Sequence, residues 1–304
     1  MAQIVGCVAM SHGPQLLTPP DKWPLLPSRN KGPFHPKAGI AAEITPDAMR
    51  AHAERCDKAI VKLGERLRAW NPDVLIVCGD DQEENILADN TPPFMIYMGK
   101  EADATLHYTY FGNKEDASQV TRYQVDSELA QSLLVGLMDE GFDPSWSLET
   151  RNPTGLGHAF GRALKRLLPD CRIPIIPVMV NTYYPPAPSA KRCFEFGAAM
   201  GRVLARQKNA KRVAFIGSGG LSHTTIDEEL DQKVIKAIET NDGKFLSSLS
   251  SDILVTGTSE IRNWIVVAGA AGAAGKMIDY VPCYRDDQGV GCAMGFAVWD
   301  QAAA

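Results

Sequence analysis

Two histidines and one glutamate stand at positions where a chain of this kind can do metal or acid–base chemistry. His12 follows an apolar run, His223 follows the glycine-rich turn 217–220, and Glu260 lies at the start of the last strongly apolar helical pattern. Neutral imidazoles with one carboxylate suit Fe(II) or Zn(II), and a set of three ligands leaves open positions for substrate and oxygen. These three residues are the first candidates for a metal site.

Each of these residues also has a plainer explanation. A histidine after a glycine-rich turn can simply cap or pack within a loop. A glutamate in a first helical turn is favoured by the helix dipole and by capping, with or without a metal. His158, after the loop 151–157, and His52, two turns into a long helix pattern, are further candidates. The residue types alone leave the choice among them open.

Hydrophobic patterning predicts the elements that position these residues. Continuous apolar runs at 3–10, 74–78 and 211–217 are typical of strands buried on both faces, as in parallel sheets. Ligands of open α/β sheets bind beyond the carboxyl ends of such strands, which is where His12 and His223 stand. The residues after His223, 224–229, predict the start of a helix.

The remaining patterns predict alternating strands and helices. Strands are predicted over 94–98, 173–180, 277–284 and 290–299, and helices over 45–70, 126–140, 159–168, 189–207, 227–246 and from 256. No segment has the composition of a linker. We therefore predict a single domain over residues 1–304, an α/β fold of three layers with a mostly parallel central sheet and helices on both faces.

Composition excludes several classes of function. The chain has 304 residues, a net charge of −5 and scattered basic residues, so no nucleic acid or membrane partner is expected. Its 7 cysteines form no Cys-x-x-Cys pair, which favours reduced thiols in a cytoplasmic protein. The start of the chain lacks a signal-peptide pattern, and the apolar window 264–275 is too short to span a bilayer.

The segment 15–44 is rich in proline, lysine and glycine. A loop of this length inside a compact domain is usually functional. We predict that it is a lid or a partner-contact loop.

Several motifs occur in one order along almost the whole chain: Ser11–His12, the segment 180–182 before a proline-rich turn, the turn 217–223, and Gly257–Thr258 with Glu260, Asn263 and Trp264. Together they resemble the class III extradiol ring-cleavage dioxygenases, the superfamily of the protocatechuate 4,5-dioxygenase β subunit. The segments 79–83 and 155–160 look most similar to the 3-O-methylgallate 3,4-dioxygenase branch.

The resemblance implies a non-haem Fe(II) enzyme that uses O2 to open the ring of a catechol- or gallate-type acid, such as 3-O-methylgallate, in the catabolism of lignin-derived aromatics. It implies that His12 and Glu260 are iron ligands, that His223 is the catalytic acid and base, and that His158 is a second catalytic histidine. We expect a homodimer. The expected substrate contacts are Asn181, Tyr183 and Tyr184, with Arg122 and Arg151 as further candidates for a substrate carboxylate.

One position departs from the family pattern. Better-known members carry a second ligand histidine after the second strand, in an Asn-Asp-His context, and Gln82 stands there in this chain. Gln82 or the adjacent Asp81 could bind the metal through oxygen. Alternatively His52 supplies the ligand, because the early turns of a right-handed β-α-β crossover helix begin beside the end of the first strand. We prefer His52 by a small margin.

A third interpretation is that no third protein ligand exists. This keeps two other functions open: a metal-dependent hydrolase, in which a histidine and a glutamate activate water, and a non-enzymatic interaction protein similar to the Memo-like proteins. Stoichiometric iron favours oxygen chemistry, zinc favours hydrolysis, and a site without metal favours the interaction protein.

Overall fold

The computed structural model describes residues 1–27, 37–106, 120–170 and 172–301. Eleven strands are assigned in this part of the chain: β1 (Gln3–Met10), β2 (Val74–Gly79), β3 (Phe94–Tyr97), β4 (Glu101–Thr105), β5 (Val120–Gln124), β6 (Ser145–Ser147), β7 (Ile175–Val180), β8 (Arg212–Ser218), β9 (His223–Thr225), β10 (Lys276–Tyr284) and β11 (Val290–Asp300). Helices connect most of them: α1 (Ile40–Glu43), α2 (Pro46–Trp70), α3 (Ser127–Asp139), α4 (His158–Leu167), α5 (Ala190–Arg206), α6 (Glu228–Glu239), α7 (Gly243–Ser248) and α8 (Ile261–Ala271).

One mixed sheet organises the molecule, in the order β10-β11-β1-β8-β2-β7-β3-β6, with β9 paired to β11. Its four central strands, β1, β8, β2 and β7, are parallel, and antiparallel pairs occur toward both edges. Strands β4 and β5 form a separate antiparallel pair. Because parallel strands are covered on both faces, their side chains form continuous apolar runs, as the sequence predicts.

Alternate residues of the central strands enter two separate cores. In β8, Val213 and Phe215 pack into the core that contains α3, α5, α6, α7 and α8, whereas Ala214 and Ile216 pack into the core that contains α2 and α4. Each face of the sheet is therefore covered by helices. The predicted three-layer α/β fold is confirmed.

Two local predictions need correction. The residues after His223 do not begin a helix, because His223–Thr225 pairs with β11 as strand β9, and α6 begins only at Glu228 with Asp227 as its N-cap. The predicted helix 227–246 is divided into α6 and α7. Asn241 has a φ of 53° at this break, and the side chain of Asp242 caps the second helix by accepting from Phe245 N.

The segment 15–44 is more ordered than its loop composition suggests. The described part of this segment contains 3-10 helices at Pro14–Leu17 and Pro20–Leu25, and Trp23 in the second of them is buried. Residues 28–36 of this segment lie outside the described part, so its role as a lid or contact loop stays a prediction. A further 3-10 helix, Thr256–Glu260, leads into α8, and Glu260 is the N-cap of that helix.

The six cysteines in the described ranges are free and buried. Within those same ranges, every helix is either too short or too polar to cross a bilayer. Cys171 lies outside them.

The carboxyl ends of β1, β2 and β8 lie side by side at one edge of the sheet. His12, Asp80 and Ser218 are therefore brought together, although more than 60 residues separate each from the next along the chain.

Candidate metal and active site

His12, Asp80 and Glu260 form a buried cluster at this edge of the sheet. One ligand atom from each lies within 4.8 Å of the other two, and His12 Nε2 is 3.4 Å from Glu260 Oε2. The exposed fractions are 2% for His12, 0% for Asp80 and 1% for Glu260. The first strand end, the second strand end and the N-cap of α8 each supply one donor.

The sequence predictions did not include Asp80. Its signal was present, because Asp80 is the first residue after β2 and the carboxyl ends of parallel strands carry the binding groups of such folds. The sequence predicted Gln82 or the adjacent Asp81 as an oxygen ligand instead. The Asp81 carboxylate is occupied in the loop, where it accepts from the backbone amides of Glu84, Asn85 and Ile86.

The cluster fits a divalent metal ion. Metal bonds of about 2.1 Å place adjacent donors roughly 3 Å apart, which is close to the 3.4 Å between His12 Nε2 and Glu260 Oε2. Burial, together with the charge of Glu260, raises the pKa of Asp80 to about 7. A cation bound between the two carboxylates would stabilise their charged forms and so lower the pKa of Asp80 again. An imidazole with two carboxylates is a donor set that iron accepts.

The hydrogen bonds of His12 orient its ring for metal binding. Ser218 Oγ donates its single proton to Ala159 O at 2.5 Å and lies 3.0 Å from His12 Nδ1. The hydroxyl can therefore only accept from His12, so Nδ1 carries the proton. This leaves the lone pair of Nε2 directed toward Glu260, and partners of this kind fix the tautomer of metal-binding histidines.

Replacing Ser218 with alanine is expected to weaken metal binding about 10- to 100-fold, because the ring of His12 loses the partner that fixes its tautomer. Titration of the metal-free protein with Fe(II) under argon measures the affinity. Ser127→Ala is the matched control, since Ser127 Oγ also donates to a backbone carbonyl, that of Gly99. Equal affinities for the Ser218 variant and this control would contradict the orienting role.

Glu260 accepts hydrogen bonds from several elements. Its Oε2 accepts from Gly220 N at 2.9 Å, and its Oε1 accepts from Gln82 Nε2 at 3.2 Å and from the Tyr183 hydroxyl at 3.3 Å. Burial alone would raise the pKa of Glu260, but the charge of His223 holds it well below its usual range. Glu260 is therefore a carboxylate held in a fixed position.

Gln82 connects the two carboxylates. Its Nε2 donates to Asp80 Oδ2 at 3.1 Å as well as to Glu260. In this arrangement the amide nitrogen, not the oxygen, faces the cluster. Gln82 would have to turn its oxygen inward to bind a metal, whereas Asp80 already directs an oxygen there.

His223 lies on the other side of Glu260. Its Nδ1 donates to Leu221 O at 3.0 Å, and its Nε2 is 3.2 Å from Glu260 Oε1. Burial alone would lower the pKa of His223, but Glu260 raises it to about 8. A β-carbon at Gly257 would lie 2.1 Å from the Cδ2 atom of the ring, so only glycine allows this close approach. His223 is thus a fixed proton carrier.

Asp231 supports the loop that carries His223. It accepts from Ser222 N at 2.8 Å, from Ser222 Oγ at 2.7 Å and from the Tyr280 hydroxyl at 2.8 Å. Burial raises the pKa of Asp231 to about 7 from an ordinary value of 3.8, although these hydrogen bonds oppose the shift. Between these pH values the folded protein holds a proton that the unfolded chain releases, so this contribution to the free energy of unfolding falls as the pH rises.

Asp231→Asn should therefore flatten the dependence of stability on pH. We expect the free energy of unfolding of the unsubstituted protein to fall more steeply between about pH 4 and 7 than that of the variant, by up to a few kcal/mol. Urea unfolding at several pH values measures both curves. Asp252→Asn, at an exposed position, is the control. Parallel curves for Asp231→Asn and the unsubstituted protein would show that Asp231 does not titrate in this way.

His158 is the second histidine beside the cluster, with its ring centroid 5.0 Å from that of His12. Glu84 accepts from His158 N and lies 2.9 Å from His158 Nδ1. Burial, together with the charge of Arg162, lowers the pKa of His158 well below its usual range. The ring is therefore neutral, with its proton on Nδ1 and a lone pair on Nε2.

One cavity of about 250 Å³ is lined by most of these groups. Residues predicted from the sequence that line it are His12, Gln82, His158, Tyr183, His223 and Glu260. Pro27, from the segment 15–44 predicted as a lid, lines the same cavity, as do Pro14, Arg162 and Arg285. The described structure therefore brings His12, His158, His223 and Glu260 to one space that suits a small aromatic molecule.

His52 is not brought to this cluster. Its Nε2 lies 3.3 Å from Glu43 of α1, and Cys56, one turn later, contacts Cys283 of β10. The helix face that carries His52 therefore packs toward α1 and β10 instead of the end of β1. The sequence predicted the region of the molecule in which His52 of α2 lies, but it did not predict the direction of the His52 side chain.

Four other predicted residues lie elsewhere. Asn181 closes the turn that follows β7, because its side chain bonds both the amide and the carbonyl of Tyr184, and Tyr184 lines separate pockets. Arg122 pairs with Asp103 and Arg151 pairs with Asp89, both on the exposed surface. Of the predicted substrate contacts, only Tyr183 lines the cavity.

The chain matches a known protein family and several curated relatives. Residues 35–285 match the family described as the catalytic LigB subunit of aromatic ring-opening dioxygenase. The chain is 28% identical over 178 residues to a 2,3-dihydroxyphenylpropionate/2,3-dihydroxicinnamic acid 1,2-dioxygenase of Klebsiella pneumoniae, covering 58% of this chain and 52% of the relative. The protein of the same name from Cupriavidus necator is 30% identical over 191 residues, which cover 63% of this chain and 54% of that relative.

The chain thus spans about half the length of the curated relatives it matches. These relatives do not confirm the predicted 3-O-methylgallate branch. Among solved structures, an uncharacterized protein of Escherichia coli K12, JW3007, aligns over 96% of this chain and 99% of its own, with a TM-score of 0.52 and 14% identity. That likeness concerns the fold alone.

Proposed function

Because the chain belongs to the family of catalytic LigB subunits of aromatic ring-opening dioxygenases, we propose that it opens the ring of catechol-type aromatic acids with O2. The observation that carries this proposal is the convergence of His12, Asp80 and Glu260 beside two further histidines in one cavity. We propose that these three residues hold Fe(II), with Asp80 as the third ligand. When bound there, Fe(II) would supply a centre at which the diol and O2 meet.

The residues around the cluster have distinct roles in this proposal. A cation bound to Glu260 would offset the carboxylate charge that keeps Nε2 of His223 protonated. His223 then takes a proton from a substrate hydroxyl at Nε2 and later returns it, while the bond from Nδ1 to Leu221 O keeps the ring in place. His158 accepts a hydrogen bond at Nε2, since Glu84 occupies its Nδ1 side. Burial, with the charge of Glu260, raises the pKa of Tyr183 well above its usual range, so Tyr183 remains a hydrogen-bond donor.

The substrate is proposed at the level of a catechol- or gallate-type acid. Gallate, 3-O-methylgallate, protocatechuate and 2,3-dihydroxyphenylpropionate each combine a ring diol or triol with a carboxylate. The last of these comes from the names of the relatives, and the others come from the sequence resemblance. The homodimer and the cytoplasmic location stay predictions from the sequence.

Oxygen consumption tests the proposal. The purified chain is loaded anaerobically with Fe(II), and the four acids are added in aerated buffer. We expect oxygen uptake with at least one acid and a product whose mass exceeds that of the substrate by one O2. His12→Ala, treated in the same way, serves as the inactive reference. No uptake with any acid, by a protein shown to contain iron, would overturn the proposed activity.

A further inference from the structure

Arg162, in α4, is a buried cation that lines the candidate active-site cavity. Only 6% of its surface is exposed. Its Nε donates to Leu106 O at 2.7 Å, and its Nη1 donates to His12 O at 2.9 Å. Both partners are backbone carbonyls. Among the residues that the structure describes, no carboxylate oxygen lies within ion-pair distance of this guanidinium.

The nearby acidic residues already have other partners. Glu84 bonds His158, and Asp80 and Glu260 belong to the metal cluster. Burial lowers the pKa of Arg162 to about 10, although Glu84 and Glu260 oppose the shift, so the group is still a cation at neutral pH. A buried charge without a partner is costly, and proteins keep such a charge where a ligand supplies the missing partner.

We propose that Arg162 binds the carboxylate of the aromatic substrate and thereby selects aromatic acids over uncharged catechols. This inference rests on the proposed function and adds the residue that binds the carboxylate of the substrate. The planar guanidinium suits a carboxylate, and Nη2 makes no hydrogen bond within the described ranges. The bond to His12 O places the cation beside a proposed metal ligand, and both residues line the same cavity.

Other arginines are less suited to this role. Arg122 and Arg151 are exposed and paired with Asp103 and Asp89. Arg285 lines the same cavity, but its Nη1 donates to Leu26 O in the segment between β1 and α2. Of these four arginines in the described structure, Arg162 is the one that donates to His12, a residue of the metal cluster.

Two substrates with the same diol distinguish a loss of carboxylate recognition from a general loss of structure in the variant. Protocatechuate carries a carboxylate and catechol does not. We expect Arg162→Gln to raise the KM for protocatechuate about 10- to 100-fold more than the KM for catechol, because only protocatechuate loses a charge-assisted bond. Arg166→Gln, on the same helix and paired with Asp57 outside the cavity, is the matched control. Equal losses for both substrates would overturn the proposal.

Binding without turnover gives an independent test. Benzoate and its neutral isostere benzamide are titrated into the metal-free protein by calorimetry, an experiment that does not depend on ring opening. We expect benzoate to bind more tightly than benzamide, Arg162→Gln to remove this preference, and Arg162→Lys to retain part of it. A lack of preference in the unsubstituted protein, or an unchanged preference in Arg162→Gln, would contradict the role of Arg162 even where oxygen uptake is observed. The comparison within the unsubstituted protein remains decisive if the glutamine variant does not fold.

Discussion

Glu260→Gln is expected to lower the affinity for Fe(II) by at least about 100-fold and to abolish oxygen uptake. The carboxylate is buried, lies 3.4 Å from His12 Nε2, and is the shared acceptor for Gly220, Gln82 and Tyr183. Loss of a ligand charge must cost more than the 10- to 100-fold that partners outside the coordination sphere typically contribute. Glutamine keeps the shape of the side chain, so the effect is one of charge. Anaerobic Fe(II) titration followed by metal analysis measures it.

The control for this experiment is Glu195→Gln, an exposed glutamate on α5 that pairs with Lys191. It should bind iron as the unsubstituted protein does. Retention of full iron affinity in Glu260→Gln would remove Glu260 from the set of ligands and would leave the proposed centre without its central carboxylate.

His223→Ala is expected to retain iron and to lose about 100- to 10,000-fold in kcat, the usual contribution of a general acid or base. The ring touches Glu260 through Nε2, but the proposed metal donors come from other residues. Turnover and iron content are measured on the same preparation. The split between them is the signature of a residue that moves protons and does not hold the metal.

His52→Ala is the matched histidine control. Since His52 contacts Glu43 and does not line the cavity, its removal should change neither iron content nor kcat. Loss of iron in His52→Ala, with normal iron in an Asp80→Asn variant, would restore the first interpretation of His52 as the third ligand and contradict the assignment of Asp80.

The architecture could be predicted from the sequence because it depends on local patterns. The apolar runs that become β1, β2, β7 and β8 are continuous, and Thr45 with Pro46 marks the start of α2. Such signals survive without any knowledge of contacts. The errors occurred where a long-range contact outweighs local preference, as when β11 draws the residues 223–225 into a strand.

The candidate site was predictable only in part for a similar reason. His12, His223 and Glu260 stand out by residue type and by their positions after strands or before a helix. The choice between Asp80, Gln82 and His52 depends on side-chain direction, which periodicity does not give. Arg162 gave no signal in the sequence at all, because a lone arginine in a basic helix is indistinguishable from a surface residue until its burial is known.

We propose that His12, Asp80 and Glu260 hold one metal ion, and a crystal structure of the Fe(II)-loaded protein, with anomalous diffraction at the iron edge, would show these ligands. We expect a single iron peak at bonding distance from His12 Nε2 and from a carboxylate oxygen of both Asp80 and Glu260. An iron peak beside His52 and Glu43, or one bound by Gln82 with Asp80 turned away, would contradict this account.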